Sequence, residues 1–408
     1  MSSNLRSYFE VLKNLNFTKL WISQITSQLT NYLLSFAVIL KVFALTKSSV
    51  SVGILVFSFG LATVFFGALA GVYADRFDRK WLLTIINFLQ AIAVAFYIPF
   101  IDNFWGLVVI TFIYSSLNQF YLPAEAPSIP NLVEKKDLLV ANSYFSFTGS
   151  FSLIVGFAIA GPLVSAFGPT SPFIAGFFLL LIATLATLLL PNLKAEDGGS
   201  KHLLENVWTE FKVGVEHFWN NEKLHFPLLS LLSIQLINGM LITIAPAFIV
   251  KMLGIELEKG SFLAILPLGL GVLAGALLLG VEDHRFTRVQ LINLGFYGMG
   301  TTIFLLSFIN NIPYPLFYYA LIALGAGYFN AHIFAPSHSI LQTYADSEMR
   351  GRVYGSLFVL QQAAATLPTI LVGFFADILP LSAVIGSMGI LLLVLGASLR
   401  PFRRHHLT

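Results

Sequence analysis

The chain has 408 residues, of which 57% are hydrophobic and 11% charged, with a formal net charge of +3. Soluble globular proteins carry about 25% charged residues, so this supply cannot cover a water-facing surface, and the two soluble domains suggested by length alone are excluded. Its basic residues are scattered between apolar runs rather than clustered on one face, which excludes a nucleic-acid binder. The absence of cysteine excludes disulfides, thiolate metal sites and cysteine nucleophiles. The polar, mixed segment from Met1 to Lys19 does not read as a signal peptide. The composition is that of a polytopic membrane protein.

A helix crossing a hydrocarbon core of about 30 Å needs roughly 20 apolar residues. Twelve runs qualify, at about 18–45, 50–74, 81–101, 105–126, 138–167, 171–190, 225–251, 260–280, 289–309, 313–336, 352–376 and 380–399. None of them alternates as barrel strands do, so the expected fold is all-α. With the N-terminus in the cytosol, 19 of the 23 Lys and Arg residues fall inside, and only Lys41, Lys47, Lys251 and Lys259 outside. Both termini are therefore expected to be cytoplasmic.

In the first span Gln24, Gln28, Asn31 and Ser35 step by four, three and four, and so share one face. Lipid penalises that face, which should turn to a substrate cavity or to another helix. After the second span comes Gly71-Val-Tyr-Ala-Asp75-Arg76-Phe77-Asp78-Arg79-Lys80. Asp75, at a helix end, can pair with Arg76 or Arg79, or face a neighbouring helix N-terminus. Gln90 in the third span reads as packing. In the fourth, Ser115, Asn118, Tyr121 and Leu122 approximate a face that leads to Glu125. That carboxyl either carries a proton at a cavity edge or snorkels to the interface; ionisable groups this deep are functional candidates by default. Gly149, Gly156 and Gly161-Pro162 supply bends and close approach in the fifth span.

The longest polar stretch, Pro191 to Lys223, divides the chain into a bundle at 1–190, a linker at 191–223 and a second bundle at 224–408. Within the linker, Leu204, Val207, Trp208, Phe211, Val215, Phe218 and Trp219 recur at helical spacing, which predicts an amphipathic helix along the membrane interface. Gln235 and Asn238 in the seventh span, Asn330 in the tenth, and Gln361 and Gln362 in the eleventh line a cavity or bond between helices. His332, in the tenth span, is either a titrating group or a neutral histidine bonded to a carbonyl. Asp377, near the outer end of the eleventh span, reads as an interfacial cap.

The two halves look alike. Gly280-Val-Glu-Asp-His284-Arg285-Phe286-Thr287-Arg288 repeats the loop beginning at Gly71, shifted by 209 positions (288 − 79). The same shift carries Ala126-Pro127-Ser128 onto Ala335-Pro336-Ser337. Two matches at one offset and at equivalent places indicate an internal duplication, the architecture of transporters whose substrate binds between two rocking halves.

Gly71-x-x-x-Asp75-Arg76-x-x-Arg79-Lys80 resembles the signature loop of the major facilitator superfamily, with Asp78 where glycine is commonest. Tyr121-Leu-Pro123-Ala124-Glu-Ala-Pro-Ser-Ile-Pro130, followed by Asp137-Leu-Leu-Val-Ala141-Asn142, is similar to a bacterial branch that includes macrolide and enterobactin exporters. Related segments occur in lysophospholipid transporters. Met349-Arg350-Gly351-Arg352-Val353-Tyr354-Gly355 resembles that branch's entry to the eleventh span. The resemblance covers nearly the whole chain and implies twelve helices in two pseudo-symmetric bundles. It also implies a gating role for Gly71, Asp75, Arg76, Arg79, Lys80, Arg285, Arg288, Arg350 and Arg352, the Asp and Arg latching the cytoplasmic ends of the halves. His284 stands where the second loop would carry its carboxylate, so the second latch should be weaker and pH-sensitive. Asn31 stands where many exporters of the branch carry Asp, which argues against coupling at that site.

The chain contains no Gly-Lys dipeptide and hence no phosphate loop, so ATP is not the fuel and no cofactor is expected. No span pairs His or acidic residues at i, i+3 or i, i+4, which argues against a metal site and against an enzyme. With 39 Phe and 14 Tyr, a largely apolar cavity carrying a few amides suits a lipophilic or amphipathic molecule. The expected activity is therefore export of such a molecule by alternating access, coupled to protons through Glu125 or His332. The expected setting is a bacterial inner membrane, with the protein acting as a monomer; the alternative is a lysophospholipid transporter or flippase.

Overall fold

The computed structural model describes residues 10–193, 203–282, 284–345 and 349–399, whose regular elements are all helices, with no strand among them. Twelve of the helices are long and apolar enough to cross a membrane. They contain α1 (Leu15–Thr46), α2 (Ser49–Arg76), α3 (Arg79–Tyr97), α4 (Phe104–Gln119, extended to Asn131 by the turns that follow it), α5 (Leu138–Phe167), α6 (Ser171–Leu188), α7 (Glu222–Lys251), α8 (Leu257–Glu282), α9 (Arg288–Leu306), α10 (Pro315–Tyr344), α11 (Arg350–Ile378) and α12 (Leu381–Ser398).

In two spans, the fourth and the tenth, the helix end departs from expectation around proline. The fourth carries Pro123, Pro127 and Pro130 in quick succession, each lacking an N–H to donate. Its helix stops at Gln119, resumes for one turn over Tyr121–Glu125, and tightens to a 3₁₀ helix over Ala126–Asn131. The tenth contains Pro336 alone in this region and runs unbroken to Tyr344, eight residues past its expected end at 336. Membrane helices tolerate a single proline because neighbouring groups satisfy the freed carbonyl.

The duplication is visible in the caps. Asp78 is the N-cap of α3, accepting from the Lys80 amide at 2.9 Å. It also accepts from the Leu193 amide at 3.2 Å, tying the chain leaving α6 to the α2–α3 loop. The residue found where glycine was the common choice is therefore a double acceptor. Shifted by 209 (287 − 78), Thr287 is the N-cap of α9 and forms a capping box with Gln290. Both helices that follow are 19 residues long. Asp78→Ala is expected to cost about 1 kcal/mol of stability, as N-cap losses typically do, and a lowered melting temperature in detergent would register it.

The chain forms two compact units, one comprising Met1–Leu45 with Leu61–Leu204, the other Thr46–Gly60 with Glu205–Thr408. The first has a core of Phe17, Leu20, Leu83, Ile86, Tyr121, Ala141 and Phe145. The second includes the first part of α2, up to Gly60, whose first turn is capped from α11. Asp377 accepts from the Ser49 amide at 2.7 Å, the Val50 amide at 3.1 Å and the Ser48 hydroxyl at 2.6 Å. The expected cap is thus real, but it serves α2 rather than its own helix.

The connecting helix, Leu203–Asn220, forms where the linker's periodicity placed one. Leu204, Val207, Trp208 and the other side chains from Leu203 to Trp208 lie outside the described residues. Its last turns dock on α11: Ser356 donates to the Phe211 carbonyl at 3.1 Å, and Phe218 is buried against Val353 and Leu357. A Cβ on Gly214 would meet the Arg352 carbonyl oxygen at 2.6 Å. Elsewhere, Gly149 has open space where a Cβ would stand. Gly149→Ala, mid-helix in α5, is expected to raise stability by roughly 0.5–1 kcal/mol, read as a higher melting temperature.

Candidate functional site

Among the described residues, the one buried carboxyl lies in the first unit and the one buried imidazole in the second. The carboxyl is Glu125, only 1% exposed, on the single turn that follows the break in the fourth span. The break matters, because the prolines re-aim the chain and set Tyr121 and Glu125 one turn apart on the same inward side. There Oε1 of Glu125 has no hydrogen-bond partner. Tyr121 also meets the Ser23 hydroxyl of α1 at 3.0 Å, and Ser23 accepts from the Asn87 amide of α3 at 3.1 Å. A buried carboxyl with no cation beside it can take up a proton without first breaking an ion pair. Among the described residues no cation pairs with it.

In the second unit the ionisable group is His332 of α10, which is fully buried. Its Nδ1 lies 2.8 Å from the Tyr328 carbonyl oxygen, and its Nε2 lies 2.5 Å from Oε2 of Glu282, at the end of α8. The Tyr328 hydroxyl donates to Oε1 of the same carboxyl at 2.5 Å. Both helices must come close for this, and small residues allow it. A Cβ on Gly275 would meet the Tyr328 carbonyl oxygen at 2.6 Å, one on Gly271 would strike the Leu324 carbonyl, and one on Gly327 the Leu268 carbonyl. Gly271, Gly275 and Glu282 step by four and seven, so the glycine face that seats α10 also aims the carboxylate at it.

Glu282 is the residue that sequence reasoning passed over. The eighth span was expected to end at 280, which left Glu282 in a loop, whereas α8 runs through it. The duplication gave no help, because the position 209 earlier is Tyr73. The glycine stripe was the available signal: the only acid late in the eighth span sits on the stripe's own face.

The polar candidates fall into small groups within each unit. Gln24 is buried and donates to the Phe145 carbonyl at 3.2 Å, its Oε1 left without a partner. Gln28 and Asn31 are half-buried on the same face, and the Asn31 carbonyl accepts from Ser35 at 2.7 Å. Gln90 is fully buried and donates to Asn118 at 3.3 Å. In the second unit a chain of amides links three candidates: Asn330 donates to Asn238 at 3.1 Å, and Asn238 to Gln235 at 3.2 Å. Gln361 is buried with its amide nitrogen unpartnered, and the Gln362 carbonyl accepts from Thr366.

Of the gating candidates, the side chains of Gly71, Asp75 and Arg350 lie outside the described residues. Arg79 is buried and donates to the Pro127 carbonyl at 3.2 Å, joining the α2–α3 loop to the Ala126-Pro127-Ser128 segment. Its counterpart Arg288 donates to Thr343 at 3.1 Å and lines a cavity of about 220 Å³ with Ala335 and Pro336. Each repeated arginine thus lies beside its own repeated Ala-Pro-Ser segment. Arg76, Arg285 and Arg352 are exposed, and Lys80 lies 5.3 Å from the centre of the Trp81 ring.

Known proteins share this architecture. The MFS-type transporter YfiS of Bacillus subtilis (strain 168) is 25% identical over 392 residues, covering 92% of this chain and 90% of that one. The multidrug efflux pump Tap of Mycolicibacterium fortuitum is 26% identical over 262 residues, 63% of this chain and 61% of its own length. Among solved structures, the nucleoside transporter NupG superposes with a TM-score of 0.75 at 16% identity, covering 95% of this chain and 99% of its own. A bacterial homologue of the human lysosomal transporter Spinster gives a TM-score of 0.75 at 13% identity, with 95% and 96% covered. At such identities the two structures speak for the fold alone. The sequence profile of the Major Facilitator Superfamily matches residues 20–369. Together with the twelve helices and the repeated loops, that match shows that the chain belongs to the major facilitator superfamily of membrane transporters.

Proposed function

We propose that this chain is a proton-coupled exporter of lipophilic or amphipathic small molecules, working by alternating access as a monomer in a bacterial inner membrane. The observation that carries the reading is Glu125, a buried carboxyl one turn from Tyr121 with its Oε1 unpartnered. A membrane protein retains such a group at a cost, and proton relay is the usual return. The likeness to a multidrug efflux pump supports the export of drug-like compounds, as does the similarity of the fourth and fifth spans to macrolide and enterobactin exporters. The family and fold are those of transporters and not of enzymes. Nineteen of 23 basic residues on one side support termini in the cytosol. Gating falls to Asp75, Arg76 and Arg79, with Arg285 and Arg288 repeating the two arginines, and the half-buried amides Gln28, Asn31, Gln235, Asn238 and Asn330 contact substrate.

A thermal-shift screen of the purified protein tests the substrate class, because a ligand at 100 times its Kd adds about 2.7 kcal/mol. The panel comprises ethidium, erythromycin, enterobactin and lysophosphatidylcholine. Shifts confined to the first three are expected. A shift confined to lysophosphatidylcholine would replace this reading with the lipid transporter that the same segment also resembles.

A further inference from the structure

The contact between α8 and α10 fixes how many protons it must contain. Nδ1 of His332 faces a carbonyl oxygen, and Nε2 faces a carboxyl oxygen. Both partners are acceptors unless the carboxyl is itself protonated, whereas a neutral imidazole has one N–H to give. A neutral histidine beside an ionised Glu282 would therefore press a lone pair against an oxygen, whichever tautomer it adopts. The Tyr328 hydroxyl cannot relieve this, because it is spent on Oε1. To satisfy both ring nitrogens at once, the two contacts together need one more proton, on either the ring or the carboxyl.

We propose that Glu282 and His332 hold one exchangeable proton between them, and that its loss releases the end of α8 from α10. This deepens the proton-driven reading above and rests on it for its role in transport. With the proton bound the pair is neutral overall; when the proton leaves to water the pair carries one negative charge and two acceptors face each other. Glu282 is 21% exposed, so it has a path to solvent, while the ring it bonds is sealed. Glu125 in the first unit has no such partner among the described residues.

The surroundings contain no other partner for the pair among the described residues. On α9, Arg288 is directed to Thr343, and Tyr297 is the only other ionisable side chain. Along α7 the ionisable groups lie at the ends, at Glu222, Lys223, His225 and Lys251. His338, one and a half turns further along α10, lies against Phe334 and Tyr354. On α8 itself, Glu258 and Lys259 sit at the opposite end, and Lys259 pairs with Glu256. The loop after Glu282 contributes Asp283, outside the described residues, and the exposed His284 and Arg285.

Because the chain has no native cysteine, Leu278→Cys on α8 and Phe334→Cys on α10, both exposed positions, give the only two sites for spin labels. Pulsed EPR on the full chain is then read from about pH 5 to about pH 9, a window spanning histidine's ordinary titration. The label distance is expected to lengthen as pH rises. In Glu282→Gln the amide donates to Nε2 without an added proton, so the distance should stay short at every pH, and back-titration should count one proton fewer per molecule. His332→Gln should likewise abolish the shift. A pH-independent distance in the otherwise unchanged protein, or a shift that survives in Glu282→Gln, overturns the proposal. Failure of the transport reading would look different, since the label distance would still respond to pH while a pH gradient moved no ethidium.

Discussion

Glu125→Gln is expected to reduce gradient-driven transport to background while leaving exchange of substrate down its own gradient intact. The amide has the shape of the protonated carboxylic acid, so the Ser23–Tyr121–Asn87 network should survive. What disappears is the exchangeable proton. A coupled transporter with its carrier fixed in the protonated form can still reorient with substrate aboard, but it can no longer convert a proton gradient into work. The measurement compares ethidium accumulation in inverted vesicles under an imposed pH gradient with ethidium counterflow at uniform pH. Loss of both activities together, with an unchanged melting temperature, would mean that Glu125 acts in gating or binding rather than in coupling.

The second large effect concerns stability. Gly327→Leu places a side chain where a Cβ alone would already strike the Leu268 carbonyl and lie 2.8 Å from the Val272 amide nitrogen. Neither atom belongs to a flexible side chain, so α8 and α10 must separate. Overpacking of this kind typically costs about 1–3 kcal/mol and occasionally more. Parting the helices also withdraws Glu282 from His332, which leaves a fully buried ring nitrogen unsatisfied and adds to the loss. The variant is expected to express poorly and to melt well below the parent protein in detergent. Gly280→Ala, on the facing helix α8 but with open space around it, should melt no lower than the parent and so controls for loss of glycine itself.

Much of this fold is legible in the sequence because the bilayer leaves the chain few choices. Backbone groups in hydrocarbon must bond within their own helix, so an apolar run of sufficient length is already a helix, and all twelve runs become one. The repeat is legible for a similar reason. Capping needs a short acceptor at a fixed place, and Asp78 and Thr287 hold it at one offset although their identities differ. Helix ends are less legible, since proline acts through its surroundings: three prolines break the fourth span, and one leaves the tenth intact. The polar sites are legible only one residue at a time. Glu125 and His332 stand out because ionisable groups are rare in the spans, but Glu282 becomes significant only once α8 is known to extend through it and α10 to lie against Gly275. Such pairings across helices leave no spacing in the chain from which to read them.

The central claim, that proton movement drives the export of a lipophilic molecule, is tested most directly by measuring proton and ethidium flux together in proteoliposomes containing the purified protein. An outward ethidium gradient at uniform pH should drive protons in the opposite direction, and Glu125→Gln should retain ethidium flux without proton flux. Ethidium flux with no accompanying proton movement in the parent protein would contradict the account.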